Sequence, residues 1–296
     1  MLICDTHSHY DDDAFAKDRE ELLGGALAAA GVEFTVNMGA SMEGAEASVM
    51  LAEKYRADAQ KADAQKAGAQ IAERREAAGP TIVYAGCGIH PDDVGVFEGK
   101  ETASGMRFPG GADVLEHLRV LCGKEGVVCV GEIGLDYHWM VEEKEVQKRW
   151  FREQMRLAHE LDLPINVHSR DAAQDTFDMI RENYEAGNDT GGIIHCYSGS
   201  AELAREYVRM GYHIGIGGVV TFKNAKTLKK VVSQTPMEYL VTETDCPYLS
   251  PEPNRGKRND SRNIRFVIEE IARLKELDVE QCAELLRRNA HEVYRV

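Results

Sequence analysis

Histidine and carboxylate side chains follow several short apolar segments in this chain of 296 residues. The first such segment ends in the motif Asp5-Thr6-His7-Ser8-His9. Because a β-strand alternates its faces every second residue, His7 and His9 point to the same side and can chelate a metal ion. Later apolar segments end in four further residues of the types that bind divalent metals: Glu132, His168, His195 and Asp245.

The number and chemistry of these six residues indicate what they would bind. Any one of them alone is more often a hydrogen-bonded buried polar group, but the six together are costly to bury unless they are paired or coordinate a cation. Six nitrogen and oxygen ligands exceed the needs of one tetrahedral zinc ion and suit two divalent ions about 3.5 to 4 Å apart that share a carboxylate. We expect Glu132 to be that bridge. The other ligands divide between the two ions: His7, His9 and Asp245 on one, His168 and His195 on the other.

A scaffold must bring these strand ends together. Apolar β-rich segments alternate eight times with amphipathic helical segments, and most are continuous hydrophobic runs, which is typical of parallel strands buried on both faces. This alternation predicts a (β/α)8 or TIM barrel, whose functional residues lie at the C-terminal ends of the strands. A Rossmann-like sheet is the alternative, but no glycine fingerprint follows the first strand. The predicted strands are 2–6, 32–38, 81–89, 127–133, 163–167, 191–195, 212–219 and 239–244.

The length suits one barrel-sized domain over residues 1–296, with two stretches outside the regular alternation. A repeat of Ala-Asp-Ala-Gln-Lys at 57–70 predicts a helical insertion near 55–78, which lacks a bulky apolar face. A glycine-rich loop is expected near 98–112, over the barrel mouth. Two amphipathic helices, 267–277 and 279–293, should complete the outer ring, with Asp278 as a cap between them.

Composition and charge limit the function classes. The chain is 43% hydrophobic and 29% charged, and it has neither an apolar run of about 20 residues nor a basic N-terminal region, so no membrane span or signal peptide is predicted. Seven cysteines without a C-x-x-C pair indicate a reducing compartment, and we expect a cytoplasmic protein. A net charge of −15 disfavours the coating of long duplex nucleic acid, although bound divalent ions would offset that charge locally.

The motifs at the strand ends, taken in order, resemble those of the TatD family of metal-dependent deoxyribonucleases. This resemblance implies a TIM barrel of the metallo-dependent hydrolase type and the metal ligands assigned above. It also implies hydrolysis of DNA phosphodiester bonds, often as a 3′ to 5′ exonuclease on ends or single strands. The motifs that carry it are Asp5-Thr6-His7-Ser8-His9, Gly88-Ile89-His90-Pro91, Gly131-Glu132-Ile133-Gly134-Leu135-Asp136-Tyr137, His168-Ser169-Arg170, His195-Cys196-Tyr197-Ser198-Gly199, Thr242-Glu243-Thr244-Asp245-Cys246-Pro247-Tyr248-Leu249 and Arg255-Gly256-Lys257-Arg258-Asn259.

If the substrate is a phosphodiester, each candidate residue has an expected role. Two ions, of magnesium, manganese or zinc, would polarise the phosphoryl oxygens and activate a water. Asp245, with Glu132, is the expected catalytic carboxylate; it would accept the proton of the water as general base or serve only as a ligand. The strand-end and loop residues expected to contact the substrate are His90, Arg170, Arg255, Lys257 and Arg258, and the residues expected to orient the ligands are Asp5 and Glu243.

Several alternatives remain open from the residues alone. One alternative to substrate contact is that Arg170 forms an ion pair with Asp171 or Asp136. Another is that the basic loop is only a solvated face. The main functional alternative is a metal-dependent amidase or lactonase acting on a small molecule, although many two-metal enzymes of that class bridge their ions with a carboxylated lysine where this chain has Glu132. A non-catalytic metal-binding protein is a third possibility. No obligate protein partner is inferred.

Overall fold

The computed structural model describes residues 1–66 and 79–296. Eight parallel strands form one sheet in sequence order, which confirms the predicted TIM barrel. The strands are β1 (Ile3–Ser8), β2 (Val32–Gly39), β3 (Ile82–Cys87), β4 (Val127–Asp136), β5 (Ile165–Arg170), β6 (Gly192–Ile194), β7 (His213–Ile216) and β8 (Leu240–Thr242).

Side-chain hydroxyls help to close the barrel between its first and last strands. The Thr6 hydroxyl donates to the Thr242 carbonyl at 3.0 Å, and the Thr242 hydroxyl donates to the Cys4 carbonyl at 3.1 Å. Further along, the Asp245 amide donates to the His7 carbonyl at 3.0 Å. The closure therefore places the residues after β8 beside those at the end of β1.

Helices surround the strands. Those of nine residues or more are α1 (Met42–Lys66), α2 (Gly111–Cys122), α3 (Lys144–Leu161), α4 (Ala173–Glu185), α5 (Ala201–Arg209), α6 (Lys226–Gln234), α7 (Ile264–Lys275) and α8 (Val279–Tyr294). Short helical turns, Arg19–Glu21, Leu22–Ala26 and Leu27–Ala29, connect β1 to β2. The Asp278 carboxylate accepts from the amides of Glu280 and Gln281, so it caps α8 as predicted. No helix in the described ranges is long and apolar enough to cross a membrane.

The first half of α8 packs beside α7 in the outer layer, as the sequence predicts, since Leu286 and Ile271 belong to one buried cluster, but its last turn leaves that layer. Its C-terminal residues, Val293 and Tyr294, pack in one buried cluster with Cys4 and Phe34, which lie near the N-terminal ends of β1 and β2. The Tyr294 hydroxyl reaches the Thr6 carbonyl at 2.8 Å. The end of α8 therefore covers the barrel opposite the strand ends that carry the candidate site.

The strand bounds differ from the predicted ones where polar side chains meet the barrel rim. β4 continues to Asp136, three residues past the predicted end, because Gly134 and Asp136 still pair with His168 and Arg170 of β5. By contrast, β6, β7 and β8 are shorter than predicted. The predicted insertion near 55–78 lies partly outside the described residues; α1 continues through Lys66. Between Gly99 and Gly110 the chain has no helix or strand.

Candidate metal centre

The two histidines at the end of β1 face each other across a short gap. The Nε2 atoms of His7 and His9 are 3.1 Å apart. The Nδ1 atom of His7 lies 2.9 Å from the Asn166 Oδ1, and that of His9 lies 3.0 Å from the Met38 carbonyl oxygen. Both partners are acceptors, so each Nδ1 carries a proton and each Nε2 presents its lone pair. Two lone pairs at this distance repel each other unless a proton or a metal ion lies between or beside them.

Glu132, in the middle of β4, lies between two groups of imidazoles. Its Oε2 is 3.5 Å from the His7 Nε2 and 3.8 Å from the His9 Nε2. Its Oε1 is 2.9 Å from the His168 Nδ1 and 3.5 Å from the His195 Nε2. One carboxylate oxygen therefore faces each group, which is the arrangement that a bridging ligand needs.

Asp245 completes the first group. Its Oδ1 lies 3.4 Å from the His9 Nε2 and 3.8 Å from the His7 Nε2. In a tetrahedral site with metal–ligand bonds of about 2.0 to 2.1 Å, ligand atoms are about 3.3 Å apart, close to the separations found here. The imidazole and carboxylate donors thus suit divalent ions of the zinc or manganese type.

His168 differs from the other imidazoles, because both of its nitrogens contact carboxylates. Its Nδ1 faces Glu132, and its Nε2 lies 3.1 Å from the Oδ2 of Asp136. Asp136 is almost fully buried and also accepts from the amides of His138 and Trp139. Asp136 was not among the predicted site residues, although its position four residues after Glu132, at a strand end, was a usable signal.

Glu243 and its neighbours hold the His195 imidazole in place. The Glu243 Oε1 lies 3.2 Å from the His195 Nδ1 and accepts the Cys196 amide at 2.5 Å. The His195 ring also stacks on that of His7, with centroids 3.5 Å apart. Gly215 is required here, because a Cβ at that position would overlap the Glu243 carboxylate. Glu243 therefore occupies the predicted orienting position.

Asp5 acts on the loop after β8 and not on an imidazole. Its carboxylate accepts from the hydroxyls of Ser261 and Thr244, each at 2.6 Å, and from the Thr244 amide at 3.0 Å. Burial raises the pKa of Asp5 to about 7, against the opposing effect of these hydrogen bonds. Asp5 thus fixes the segment that carries Asp245.

These side chains open onto a cavity of about 630 Å³ at the C-terminal rim of the barrel. His9, Glu132, His168, His195 and Asp245 line it, together with the predicted substrate residues His90 and Arg170. Four aspartates near its mouth were not predicted: Asp11, Asp12, Asp92 and Asp93. The cavity is therefore strongly acidic and needs cations before it can accept an anionic substrate.

His90 and Arg170 are the polar groups in this cavity suited to contact a substrate. The Nδ1 of His90 accepts from the Asp92 amide at 3.2 Å, so its Nε2 is a donor, and burial with the nearby His168 lowers the pKa of His90 to about 4. The Arg170 guanidinium lies 5.4 Å from the ring centroid of Trp139. Within the described ranges Arg170 forms no ion pair: Asp171 pairs with His138, and Asp136 contacts His168.

The basic loop after β8 does not line this cavity. The Arg255 guanidinium lies over the Phe222 ring, 4.2 Å from its centroid. Arg258 pairs with Asp18 at 2.8 Å, and with Lys257 it lines a separate surface cleft. The structure therefore does not bring Arg255, Lys257 and Arg258 to the metal-ligand cluster, because internal partners hold two of them elsewhere.

Metal binding should release protons from the centre. Although burial lowers the pKa values of His9 and His168, Asp245 raises that of His9 to about 10, and Asp136 with Glu132 raises that of His168 to about 9. In the metal-free protein a proton therefore takes the place of the metal on each imidazole at neutral pH. We expect about two protons to leave when the metals bind at pH 7, and the affinity to rise with pH until these groups are deprotonated.

Isothermal titration calorimetry in buffers with different protonation enthalpies measures this release. The apparent enthalpy should vary with the buffer, and His9→Gln should release one proton fewer. An enthalpy independent of the buffer would contradict the assignment of these two imidazoles.

An eight-stranded parallel barrel with imidazoles and carboxylates at its C-terminal rim defines a metal-dependent hydrolase of the TIM-barrel type. A family model described as TatD related DNase matches residues 4–295. The chain is 36% identical over 296 residues to YabD of Bacillus subtilis, an uncharacterized metal-dependent hydrolase, and the match covers 100% of both chains. The chain therefore belongs to the TatD family of metal-dependent hydrolases.

Solved structures agree with this assignment. The crystal structure of YjjV, a TatD homolog from Escherichia coli, is 28% identical with a TM-score of 0.77, over 99% of this chain and 98% of that one. The phosphotriesterase homology protein from Escherichia coli, at 12% identity and a TM-score of 0.59 over 99% and 98% of the two chains, shares the fold.

Proposed function

We propose that this protein hydrolyses phosphodiester bonds of DNA, at strand ends or in single strands, as a 3′ to 5′ exonuclease. The observation that carries the proposal is the position of Glu132, with one carboxylate oxygen facing His7 and His9 and the other facing His168 and His195. Two divalent ions held by these residues and Asp245 would polarise the phosphoryl group and supply a nucleophilic water at neutral pH. Family membership supports a nucleic acid substrate.

The residues around the ligands have distinct roles in this proposal. Asp245 lines the cavity, and its contacts with His9, His195 and His7 outweigh burial and lower its pKa, so it is ionised and can accept a proton from the attacking water. The neutral imidazole of His90 can donate from Nε2 to a phosphoryl oxygen. The Arg170 guanidinium, on the same cavity wall, can bind a phosphate through two parallel hydrogen bonds.

The mouth of the cavity favours a strand end over a long duplex. Trp139 is 62% exposed and Tyr248 is 57% exposed, so two aromatic rings near the mouth can stack on unpaired bases. The aspartates near the mouth repel a phosphate backbone that continues past the centre. A short single-stranded end brings few phosphates near these carboxylates and places one phosphate at the metal ions.

A substrate panel tests the proposal. The metal-free protein is reconstituted with Mg²⁺, Mn²⁺ or Zn²⁺ and incubated with single-stranded and blunt duplex oligonucleotides labelled at the 5′ end. We expect stepwise shortening of the single strand, because 3′ to 5′ removal leaves the label on progressively shorter products. Immediate release of the labelled nucleotide would indicate the opposite polarity.

The same preparations are assayed with a lactone and a cyclic amide. Turnover of either without cleavage of DNA would favour the small-molecule alternative and contradict the proposal. Protein that binds the metals but hydrolyses none of these substrates would contradict it as well.

A further inference from the structure

A second group of ligand-type side chains lies at the other end of the barrel, where α8 covers it. Cys4 is the second residue of β1, Glu33 the second residue of β2, and His291 belongs to the last turn of α8. The Cys4 Sγ is 3.8 Å from the Glu33 Oε2, and the His291 Nε2 is 3.4 Å from the Glu33 Oε1. One ligand atom from each residue lies within 4.8 Å of the others. Three parts of the chain that are distant in sequence therefore meet here.

The hydrogen bonding of His291 leaves a lone pair directed at this group. Its Nδ1 lies 2.6 Å from the main-chain oxygen of Val296, an acceptor, so the proton is on Nδ1. Its Nε2 is buried and has no hydrogen-bond partner. A lone pair that faces a carboxylate oxygen at 3.4 Å is unfavourable unless a proton or a metal ion lies between the two atoms. An Nδ1–H donated to a main-chain oxygen is also how proteins orient many metal-binding histidines.

The distances match those of a small tetrahedral ion. Zinc bonds of about 2.0 Å to nitrogen and oxygen and about 2.3 Å to sulfur place N and O about 3.3 Å apart and S and O about 3.6 Å apart. The observed Nε2–Oε1 separation of 3.4 Å and Sγ–Oε2 separation of 3.8 Å are close to these, and because they involve the two different oxygens of Glu33, the carboxylate would bind the ion through both. The Glu33 and His291 side chains are each 27% exposed and Cys4 is buried, so the group lies just below the surface.

We propose that Cys4, Glu33 and His291 form a second metal site, for a divalent ion of the zinc type, that fastens α8 to the first two strands. The site is separate from the centre at the barrel mouth and does not depend on the proposed nuclease activity. Its thiol distinguishes it chemically, because the mouth centre is built from imidazoles and carboxylates. The Arg287 guanidinium, 3.5 Å from the Glu33 Oε2, supplies positive charge here and competes with the ion.

Cobalt absorption tests the proposal without an activity assay. The metal-free full chain is titrated with Co²⁺, whose bond to a thiolate gives an intense near-ultraviolet charge-transfer band that imidazole and carboxylate ligands do not give. We expect the band to reach the intensity of one thiolate-bound Co²⁺ per chain, in addition to the ions taken up at the mouth, and to be lost in Cys4→Ser. His291→Gln should weaken Co²⁺ binding, measured by the same band, at least tenfold, and Arg287→Gln should strengthen it.

Two other cysteines serve as matched controls. Cys282 of α8 is a buried free thiol that donates to the Ile268 carbonyl, and Cys196 adjoins the mouth centre. Cys282→Ser and Cys196→Ser should both keep the band. Absence of the band from the unmodified protein, its persistence in Cys4→Ser, or its loss in Cys196→Ser would overturn the proposal. Because His291→Gln leaves the buried thiol in place, unchanged affinity in a folded His291→Gln protein would overturn it too.

Discussion

Glu132→Ala is expected to lower kcat/KM for phosphodiester hydrolysis at least about a thousandfold, a loss of about 4 kcal/mol of transition-state stabilisation. The reason is the double contact of this carboxylate, with one oxygen facing His7 and the other facing His168. Glu243 also lies near His7 and His195, but it faces the Nδ1 of His195, whereas Glu132 faces the Nε2. Without Glu132, two dications held close together would lose the negative charge that offsets their repulsion.

The measurement combines steady-state kinetics on a labelled oligonucleotide with the metal content of the purified variant. Glu142→Ala is the matched control, because Glu142 is also buried and lies in a cleft beside the cavity, but it pairs with Lys100 and contacts no histidine among the described residues. We expect this control to stay within about threefold of the unmodified protein, as is usual away from reacting groups. If Glu132→Ala retained a tenth of the activity with both metals bound, the bridging role would be wrong.

The alternation of side chains along a strand explains why much of this site could be predicted. His7 and His9 are separated by one residue at a strand end, and the structure places their Nε2 atoms 3.1 Å apart. The same rule would have found Asn166, which precedes His168 by two residues and accepts from His7. It was missed because an amide is not itself a typical zinc ligand. Residues that orient a ligand carry a weaker sequence signal than the ligand itself.

The path of the last helix was not predictable from its hydrophobic pattern. An amphipathic helix predicts a buried face but does not specify the surface that covers it. The apolar face of α8 packs partly on the barrel end, where Tyr294 meets Asn166 and Thr6. Such contacts depend on closure of the barrel, because these residues are more than a hundred positions apart in sequence.

The basic loop shows that local charge density in a sequence does not specify where the charges lie relative to a site. Five cations occur within 255–265, and in so acidic a chain this run suggested a phosphate contact. The structure gives Arg258 and Arg262 carboxylate partners, Asp18 and Asp260. Arg170 is not part of a basic cluster in the sequence, yet it lines the cavity of the metal centre. Whether a basic side chain is available to a substrate therefore depends on the ion pairs it forms in the folded protein more than on the charges next to it in the sequence.

Arg170→Ala is accordingly expected to lower kcat/KM for short single-stranded oligonucleotides by about ten- to a hundredfold, because a hydrogen bond to a charged group contributes about 1.5 to 3 kcal/mol. The guanidinium is at the end of β5, lies against Trp139, and forms no ion pair among the described residues that would have to break before it binds phosphate. Arg170→Lys should recover only part of the loss, since an ammonium cannot make two parallel bonds to one phosphate. Steady-state kinetics at low and high salt measures the effect.

Lys257→Ala is the comparison that separates the two possible phosphate contacts. It removes one positive charge, as Arg170→Ala does, but from the cleft that Lys257 shares with Arg258 and Arg262. If a phosphate is bound inside the cavity, the Lys257 variant should change kcat/KM by about threefold or less, and that change should disappear in high salt because it is only a long-range attraction. The Arg170 defect should persist in high salt, because a direct contact in a partly enclosed cavity is less screened. A larger loss for Lys257→Ala than for Arg170→Ala would instead place the substrate contact on the basic loop.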